Sequence, residues 1–366
     1  MTVTKEAILQ ALGTVEEPDL KKDLVTLNMI RDIEIDGSNI SFTVVLTTPA
    51  CPLKELIKSR CVEALERDIS KDLMINIELT ADVTSIREGL SPTLPTVKNI
   101  IAIASGKGGV GKSTVATNLA IALAQTGAKV GLIDADISGP SIPTMFNLED
   151  DKPGVLEEDG KSYVIPIKQY GVELISIGFL APSDGAIVWR GPMASSALRQ
   201  FIGDVKWGEL DYLLIDLPPG TSDIHLTLVQ SVPVTGALVV TTPQKVALAD
   251  AQKGLAMFKQ PQINVPVLGI VENMAYFTPE ELPDNKYFIF GEGGGKALSE
   301  KFNVPLLGQI PLVQSIREGG DSGKPIVLSN GPQADAFKNI AASLAQQVAI
   351  RNASQEETKK VDIKIS

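Results

Sequence analysis

Residues Gly106 to Ser113 read GKGGVGKS, the spacing G-x-x-x-x-G-K-S of a loop that cradles phosphate. Gly108, Gly109 and Gly111 let the backbone turn so that successive N–H groups face an anion. Lys112 is placed to reach the β- and γ-phosphates, and the Ser113 hydroxyl to ligate Mg²⁺. A second lysine, Lys107, directly follows the first glycine. One lysine suffices for the phosphate charge, so by residue type alone Lys107 reads as an exposed loop lysine.

Three acids extend this chemistry. KVGLIDADISGPS carries Asp134 and Asp136 after an apolar run, and DYLLIDLPPGTSD carries Asp216 after another. A single aspartate there is usually a turn former; three, in a chain that already has a phosphate loop, point to the handling of metal and water. The Asn-Lys-x-Asp signature of guanine binding is absent, because Asn285-Lys286 is followed by Tyr287-Phe288. Adenine is the expected base.

Thiol and imidazole chemistry is sparse. His225 is the sole histidine and reads as a packed or solvated side chain rather than a base; one imidazole makes no metal site. Of the two cysteines, Cys61 lies on the apolar stripe of an expected helix, as a small buried hydrophobe would. Cys51 precedes Pro52 at the expected start of that helix, where the positive dipole end lowers a thiol's pKa. No disulfide is expected.

These residues need a scaffold. Strand NIIAIAS leads into the phosphate loop, and a helix from Lys112 follows, with Val115, Ala116, Leu119, Ala120 and Leu123 on its apolar side. Further apolar runs, KVGLID, VELISIG, DYLLID, GALVVTT, VLGIVEN and PLLGQIP, alternate with helical segments. This is the grammar of an α/β phosphate-loop fold with a mostly parallel sheet, whose ligands sit at the carboxyl ends of the strands. Residues 1–88 read differently, as a small α+β domain: a helix over 4–12, strands LVTLNMIRDIEI and NISFTVVLTT meeting at Asp36-Gly37, a helix with Pro52 in its first turn running to about Ile69, and strand LMINIELT. Residues 89–97 read as a linker, 98–350 as the phosphate-loop domain, and 351–366 as a solvated tail.

Composition sets outer limits. With 366 residues, 44% hydrophobic and 21% charged, the chain is globular and long enough for two units. A net charge of −11 argues against a nucleic-acid footprint. No apolar run is long enough to span a bilayer and the start lacks a secretory leader, so a cytoplasmic protein without a membrane partner is expected.

GKGGVGKST, with its early second lysine, resembles the deviant phosphate loop of MinD/ParA ATPases. The resemblance implies that Lys107 crosses a homodimer interface to touch the partner's nucleotide, as an arginine finger does. Within that class, VWRGPM, DLPPGTSD, TTPQKVALADA, GIVENM and GEGGG are similar to the Mrp/ApbC branch of iron–sulfur cluster carriers. EEPDL and TTPACP resemble the small iron–sulfur assembly domain often fused in front of it. By resemblance, Gly106, Lys107, Gly108, Gly109, Val110, Gly111, Lys112, Ser113 and Thr114 bind the triphosphate of ATP. Asp134 and Asp216 hold Mg²⁺ with Ser113, Asp136 orients the attacking water, and Asn273 contacts adenine. The implied catalytic set is Lys107, Lys112 and Asp136; the implied activity is Mg²⁺-dependent ATP hydrolysis coupled to cluster transfer to apo iron–sulfur client proteins.

The sequence departs from that pattern at one place. Many members carry Cys-x-x-Cys after E-N-M; here ENMAYFTPEELPDNKYFIFGEGGG has no cysteine. The expected iron–sulfur ligand is therefore Cys51, completed by thiolates from elsewhere. Two other readings stand beside the carrier: a spatial-organising ATPase of the MinD/ParA kind, and an ATP-dependent scaffold that binds clients without metal.

Overall fold

The computed structural model describes residues 3–86, 93–137, 139–179, 191–356 and 360; residues 188–190 of VWRGPM, part of the expected linker and most of the expected tail lie outside them. The described residues fall into two compact units. One is made of residues up to Thr84 together with Ala345–Gln355, the other runs from Ser85 to Leu344.

In the first unit, α1 (Lys5–Leu12) is capped by Thr4, whose hydroxyl accepts from the Ala7 amide at 3.2 Å. A two-residue ladder pairs β1 (Glu16–Glu17) with β2 (Lys22–Asp23). There follow β3 (Ile30–Asp36), β4 (Asn39–Leu46), α2 (Lys54–Asp68) and β5 (Met74–Ala81), with sheet order β3-β4-β5. β3 and β4 form the antiparallel hairpin expected at Asp36-Gly37, where Gly37 takes φ +62°. Ile8, Leu12, Leu24, Phe42, Ile57, Cys61 and Leu65 meet in one core. Each such aliphatic side chain contributes about 1.5–3 kcal/mol of burial.

Two local expectations are corrected here. Leu24 to Asn28 form turns rather than strand, because Asp23 accepts from the Thr26 amide at 2.7 Å and Asn28 adopts φ +55°. Pro52 stands ahead of α2 rather than in its first turn. The preceding segment folds on Thr48, whose carbonyl and hydroxyl accept from the amides of Cys51 and Ala50 at 3.2 Å each, and Leu53 is the helix cap.

The second unit opens with β6 (Val97–Ser105), α3 (Lys112–Gln125), β7 (Val130–Asp134) and α4 (Ile142–Met145). A hairpin, β8 (Gly154–Glu158) and β9 (Lys161–Ile165), precedes β10 (Ile167–Gln169) and β11 (Val172–Ser176). Then come α5 (Gly191–Gly203), β12 (Leu210–Asp216), α6 (Asp223–Ser231), β13 (Gly236–Thr241) and α7 (Lys245–Phe258). The chain continues through β14 (Val267–Glu272), α8 (Gly294–Phe302), β15 (Leu306–Gln309), α9 (Gln314–Asp321) and α10 (Pro332–Ser354).

All seven apolar runs become strands of one eight-stranded sheet, ordered β10-β11-β7-β12-β6-β13-β14-β15. Every pairing is parallel except β10 with β11 at the edge. β7 and β13 are buried at every position, which is why their sequences are apolar without alternation. The β8–β9 hairpin, unanticipated, turns on Asp159-Gly160, both at positive φ, a turn pair the sequence does display.

Helix α3 is buried continuously from Val115 to Leu123, not on one side only. Its Asn118 is engaged at both ends: Nδ2 donates to the Thr114 carbonyl at 2.9 Å, and Oδ1 accepts from the Val327 amide at 3.1 Å. Gln125 donates to the Val327 carbonyl at 3.3 Å. The 3₁₀ turn Ile326–Leu328 thus covers the side of α3 that a surface helix would give to water. At the chain's far end α10 continues through Ser354, into the stretch read as tail, with Arg351 and Asn352 buried.

Candidate functional site

The phosphate loop joins β6, in the middle of the sheet, to α3. Strand order reverses there: β12, β7 and β11 lie on one side of β6, and β13 and β14 on the other. In open parallel sheets that crevice is where ligands bind. Gly109 and Gly111 take φ of +81° and +79°, the left-handed region that glycine tolerates. Two of the glycines are also fixed by space. A Cβ on Gly106 would overlap the backbone of Asp250 and Ala251 in α7, and one on Gly111 would overlap the Asn273 side chain. Gly108 and Gly109 are exposed, with open space above them.

Register explains why the acids converge. Asp134 is the Cα partner of both Asp216 on β12 and Ser176 on β11, so the three side chains end neighbouring strands at one level. Ser176 donates to Asp134 Oδ2 at 2.8 Å, and the Asp136 amide to Oδ1 at 3.2 Å. Across the loop, Lys112 Nζ donates to Asp216 Oδ1 at 2.6 Å and Ser113 Oγ to Oδ2 at 2.6 Å. Asp136 lies 3.6 Å from Lys112 Nζ.

Both strand-end carboxyls are inaccessible to solvent. Burial, then repulsion from Asp216, pushes Asp134 up to about 7, against the hydrogen bond from Ser176. Burial also raises Asp216, although Lys112 and Ser113 pull it down. Two buried carboxylates in register favour a bound cation. Among the described residues no three His, Cys, Asp or Glu side chains form a ready metal cage. That suits Mg²⁺, which takes one or two carboxylates and completes its shell from water and substrate phosphate.

Beside the loop lies a cavity of about 360 Å³, lined by Thr114, Met145, Asn273, Met274 and, on α9, Ile316 and Arg317. Asn273 forms part of its wall while donating Nδ2 to the Val110 carbonyl at 2.8 Å. Thr114 and Asn273 therefore meet at one cavity. Lys107 is half-buried, its carbonyl accepting from Ser105 Oγ at 3.0 Å, and its ammonium makes no ion pair among the described residues.

Cys51 belongs to the other unit and departs from expectation. It is 9% exposed, stands three residues before α2, and burial raises its thiol pKa, with the Glu17 and Asp19 carboxylates adding to the rise. The lowering expected from a helix dipole is outweighed by desolvation. Cys61 is fully buried, its thiol pushed up to about 12. His225 is packed: Nδ1 lies 3.2 Å from the Ser222 carbonyl, Nε2 has no hydrogen-bond partner among the described residues, and burial lowers its pKa to about 4.

Sequence reasoning missed Ser176, Met274 and the α9 residues. Ser176 is the polar residue that interrupts the apolar run VELISIG, a usable signal; α9 carried none, since its place at the cavity depends on chain return after β15.

Residues 96–346 match the family described as NUBPL iron-transfer P-loop NTPase, and residues 5–79 the family described as iron-sulfur cluster assembly protein. The chain is 51% identical over 349 residues to an iron-sulfur cluster carrier protein of Synechocystis sp., covering 95% of this chain and 97% of that one. A protein of the same description from Deinococcus radiodurans is 46% identical over 354 residues, covering 96% and 97%. Among solved structures, a nucleotide-binding protein of Archaeoglobus fulgidus in complex with ADP is similar at a TM-score of 0.56 and 40% identity, covering 66% of this chain and 91% of that one.

Proposed function

The chain belongs to the NUBPL-type iron-transfer P-loop NTPases, and on that premise we propose that it is an ATP-hydrolysing iron–sulfur cluster carrier. It binds ATP, hydrolyses it with Mg²⁺, and delivers clusters to apo client proteins. The observation that carries the ATPase part is the buried constellation of Lys112, Ser113 and Asp216 at the phosphate loop, with Asp134 in register.

Each residue has a physical task. The backbone from Gly106 to Gly111 and the N-terminus of α3 present N–H groups to the phosphates. Lys112 exchanges Asp216 for the β- and γ-phosphates. Ser113, Asp134 and Asp216 offer the hard oxygen donors that Mg²⁺ requires, and the ion, when bound, offsets charge on the β- and γ-phosphates. Asp136, 3.6 Å from Lys112 Nζ at the mouth of the loop, orients the attacking water. Lys107, without an ionic partner among the described residues of its own subunit, is available to a second copy's γ-phosphate across a homodimer. Met274 and Ile316 wall the base, and Asn273 holds the loop carbonyl while facing the same cavity.

Cluster carriage is limited by thiolate supply. With only Cys51 and Cys61 in the chain and both buried, Cys51 is the ligand we assign, its ionisation driven by iron against the effect of burial, with the remaining thiolates from small thiols or a client. The same burial favours, as a second reading, an ATP-dependent scaffold without metal. Anaerobic reconstitution with iron and sulfide separates the two. The carrier reading expects bound iron that is lost in Cys51→Ser, ATPase activity unchanged in that variant, and transfer to an apo ferredoxin. Wild-type protein that loads no iron leaves the scaffold.

A further inference from the structure

The cavity beside the phosphate loop has a sharp division of character. Met145, Met274, Leu312 and Ile316 give it apolar walls, suited to the flat faces of a base. At the α9 end stand Arg317 and Asp321, one turn apart, with Arg317 Nη1 donating to Asp321 Oδ2 at 2.9 Å and Nη2 to Glu318 Oε1 at 3.1 Å. We propose that Asp321, oriented by Arg317, reads the ribose hydroxyls of the nucleotide and makes the protein selective for ribonucleotides. This rests on the ATP-binding reading above.

The chemistry of the pair supports that role. An ionised carboxylate only accepts hydrogen bonds, and the vicinal 2′- and 3′-hydroxyls of ribose present two donors. Asp321 is the one carboxylate among the described residues that line the cavity. Asn273, the amide that lines the same cavity, is held at the phosphate-loop end by its Nδ2 bond to the Val110 carbonyl, whereas Asp321 stands at the α9 end. A carboxylate at this position also repels a ribose that carries an extra phosphate.

Backbone packing fixes Asp321 in spite of its exposure. A Cβ on Gly319 would meet the Lys324 carbonyl oxygen at 2.7 Å, and the Lys324 amide donates to the Gly319 carbonyl at 2.8 Å. Gly323, at φ +66°, is seated against the backbone of Asn147 and its carbonyl accepts from Tyr170 Oη at 2.8 Å. The end of α9 is therefore anchored on both sides of Asp321, and the Arg317 pairing sets the carboxylate's rotamer.

The test is equilibrium binding of ATP and of 2′,3′-dideoxy-ATP, each with Mg²⁺, to the full chain and to Asp321→Ala. Wild type is expected to prefer ATP by about tenfold, the scale of hydrogen bonds to a charged group. In Asp321→Ala, ATP affinity falls to the dideoxy level while dideoxy-ATP binds as it does to wild type. Arg317→Ala gives an intermediate preference. A purely structural role would weaken both ligands together, and that result overturns the proposal. So does a wild-type protein that binds both alike. If wild type binds neither, the ATP reading falls as well, which distinguishes the two failures.

Discussion

Lys112 and Asp216 are 104 residues apart in the chain and 2.6 Å apart in space, with side-chain exposures of 5% and 0%. The lysine that is to hold phosphate is thus already neutralised by a buried acid. Under the proposed assignment, nucleotide binding is an exchange of ionic partners rather than the filling of an open positive site, and Lys112 and Asp216 are both shielded from water before it.

Lys112→Ala should reduce nucleotide binding at least a hundredfold. It should also lower the stability of the nucleotide-free protein, by as much as about 3–5 kcal/mol, because Asp216 stays buried without its partner. Asp136→Ala should keep binding within a few-fold and reduce turnover by roughly a hundredfold or more, since its task is confined to the attacking water. Titration calorimetry, denaturant melts and steady-state turnover read these separately; equal loss of binding in both variants contradicts the assignment.

Gly106→Ala adds a single carbon where α7 leaves no room. The clash is with backbone, which cannot rotate away, so either the loop or α7 must move. We expect a loss of about 1–3 kcal/mol in stability together with a large drop in ATP binding. Gly108→Ala, which meets nothing closer than Pro219 at 3.9 Å, is the control and should leave monomer stability within about 0.5 kcal/mol. Matching melts for the two variants would refute the packing argument.

His225 should make the protein acid-sensitive. Its folded pKa, about 4, lies below the ordinary 6.5, so between those values the unfolded chain binds a proton that the folded chain does not. Stability therefore rises with pH across this window. It is fully present above about 6.5 and declines towards 4, by roughly 2 kcal/mol at pH 5. In His225→Leu that part of the slope disappears. Urea midpoints between pH 4.5 and 7.5 measure it; an unchanged slope would mean that other groups set the acid limit.

Lys107 acting across a dimer predicts complementation. Lys107→Ala retains an intact phosphate loop, and Lys112→Ala retains Lys107, so a mixed pair rebuilds one complete site from two inactive proteins. Equal mixing places half the subunits in mixed dimers with one working site each, giving about a quarter of wild-type turnover per subunit by random pairing. Activity that never exceeds the average of the two parents would assign Lys107 to its own subunit.

The sheet was legible because its strands are buried on both faces: β7 and β13 are apolar up to their last residues, Asp134 and Thr241, and the glycine-rich phosphate loop marks the end of β6. The acids Asp134 and Asp216 could be named from their places at strand ends, but their adjacency could not. It depends on β12 inserting between β6 and β7, a choice of topology that the local pattern does not encode. Cys51 shows the opposite limit. Its nearness to a proline and a helix suggested a low pKa, whereas the three-dimensional setting, a core on one side and two acids nearby, reverses the sign. Helix α9 was out of reach because its role arises from where Gly319 and Gly323 let the chain pack.

The double engagement of Asn118 ties the Val327 amide to the interior of α3. That N–H can meet solvent deuterium when the turn lifts from α3 or when the helix that follows the phosphate loop itself loosens, so its exchange rate is coupled to α3 from a distance of 209 residues along the chain. A ligand that steadies the phosphate loop would slow exchange at Val327 without touching it. On the proposed nucleotide site, the turn after α9 would serve as a remote gauge of occupancy, one that isotope uptake can read without labelling the site.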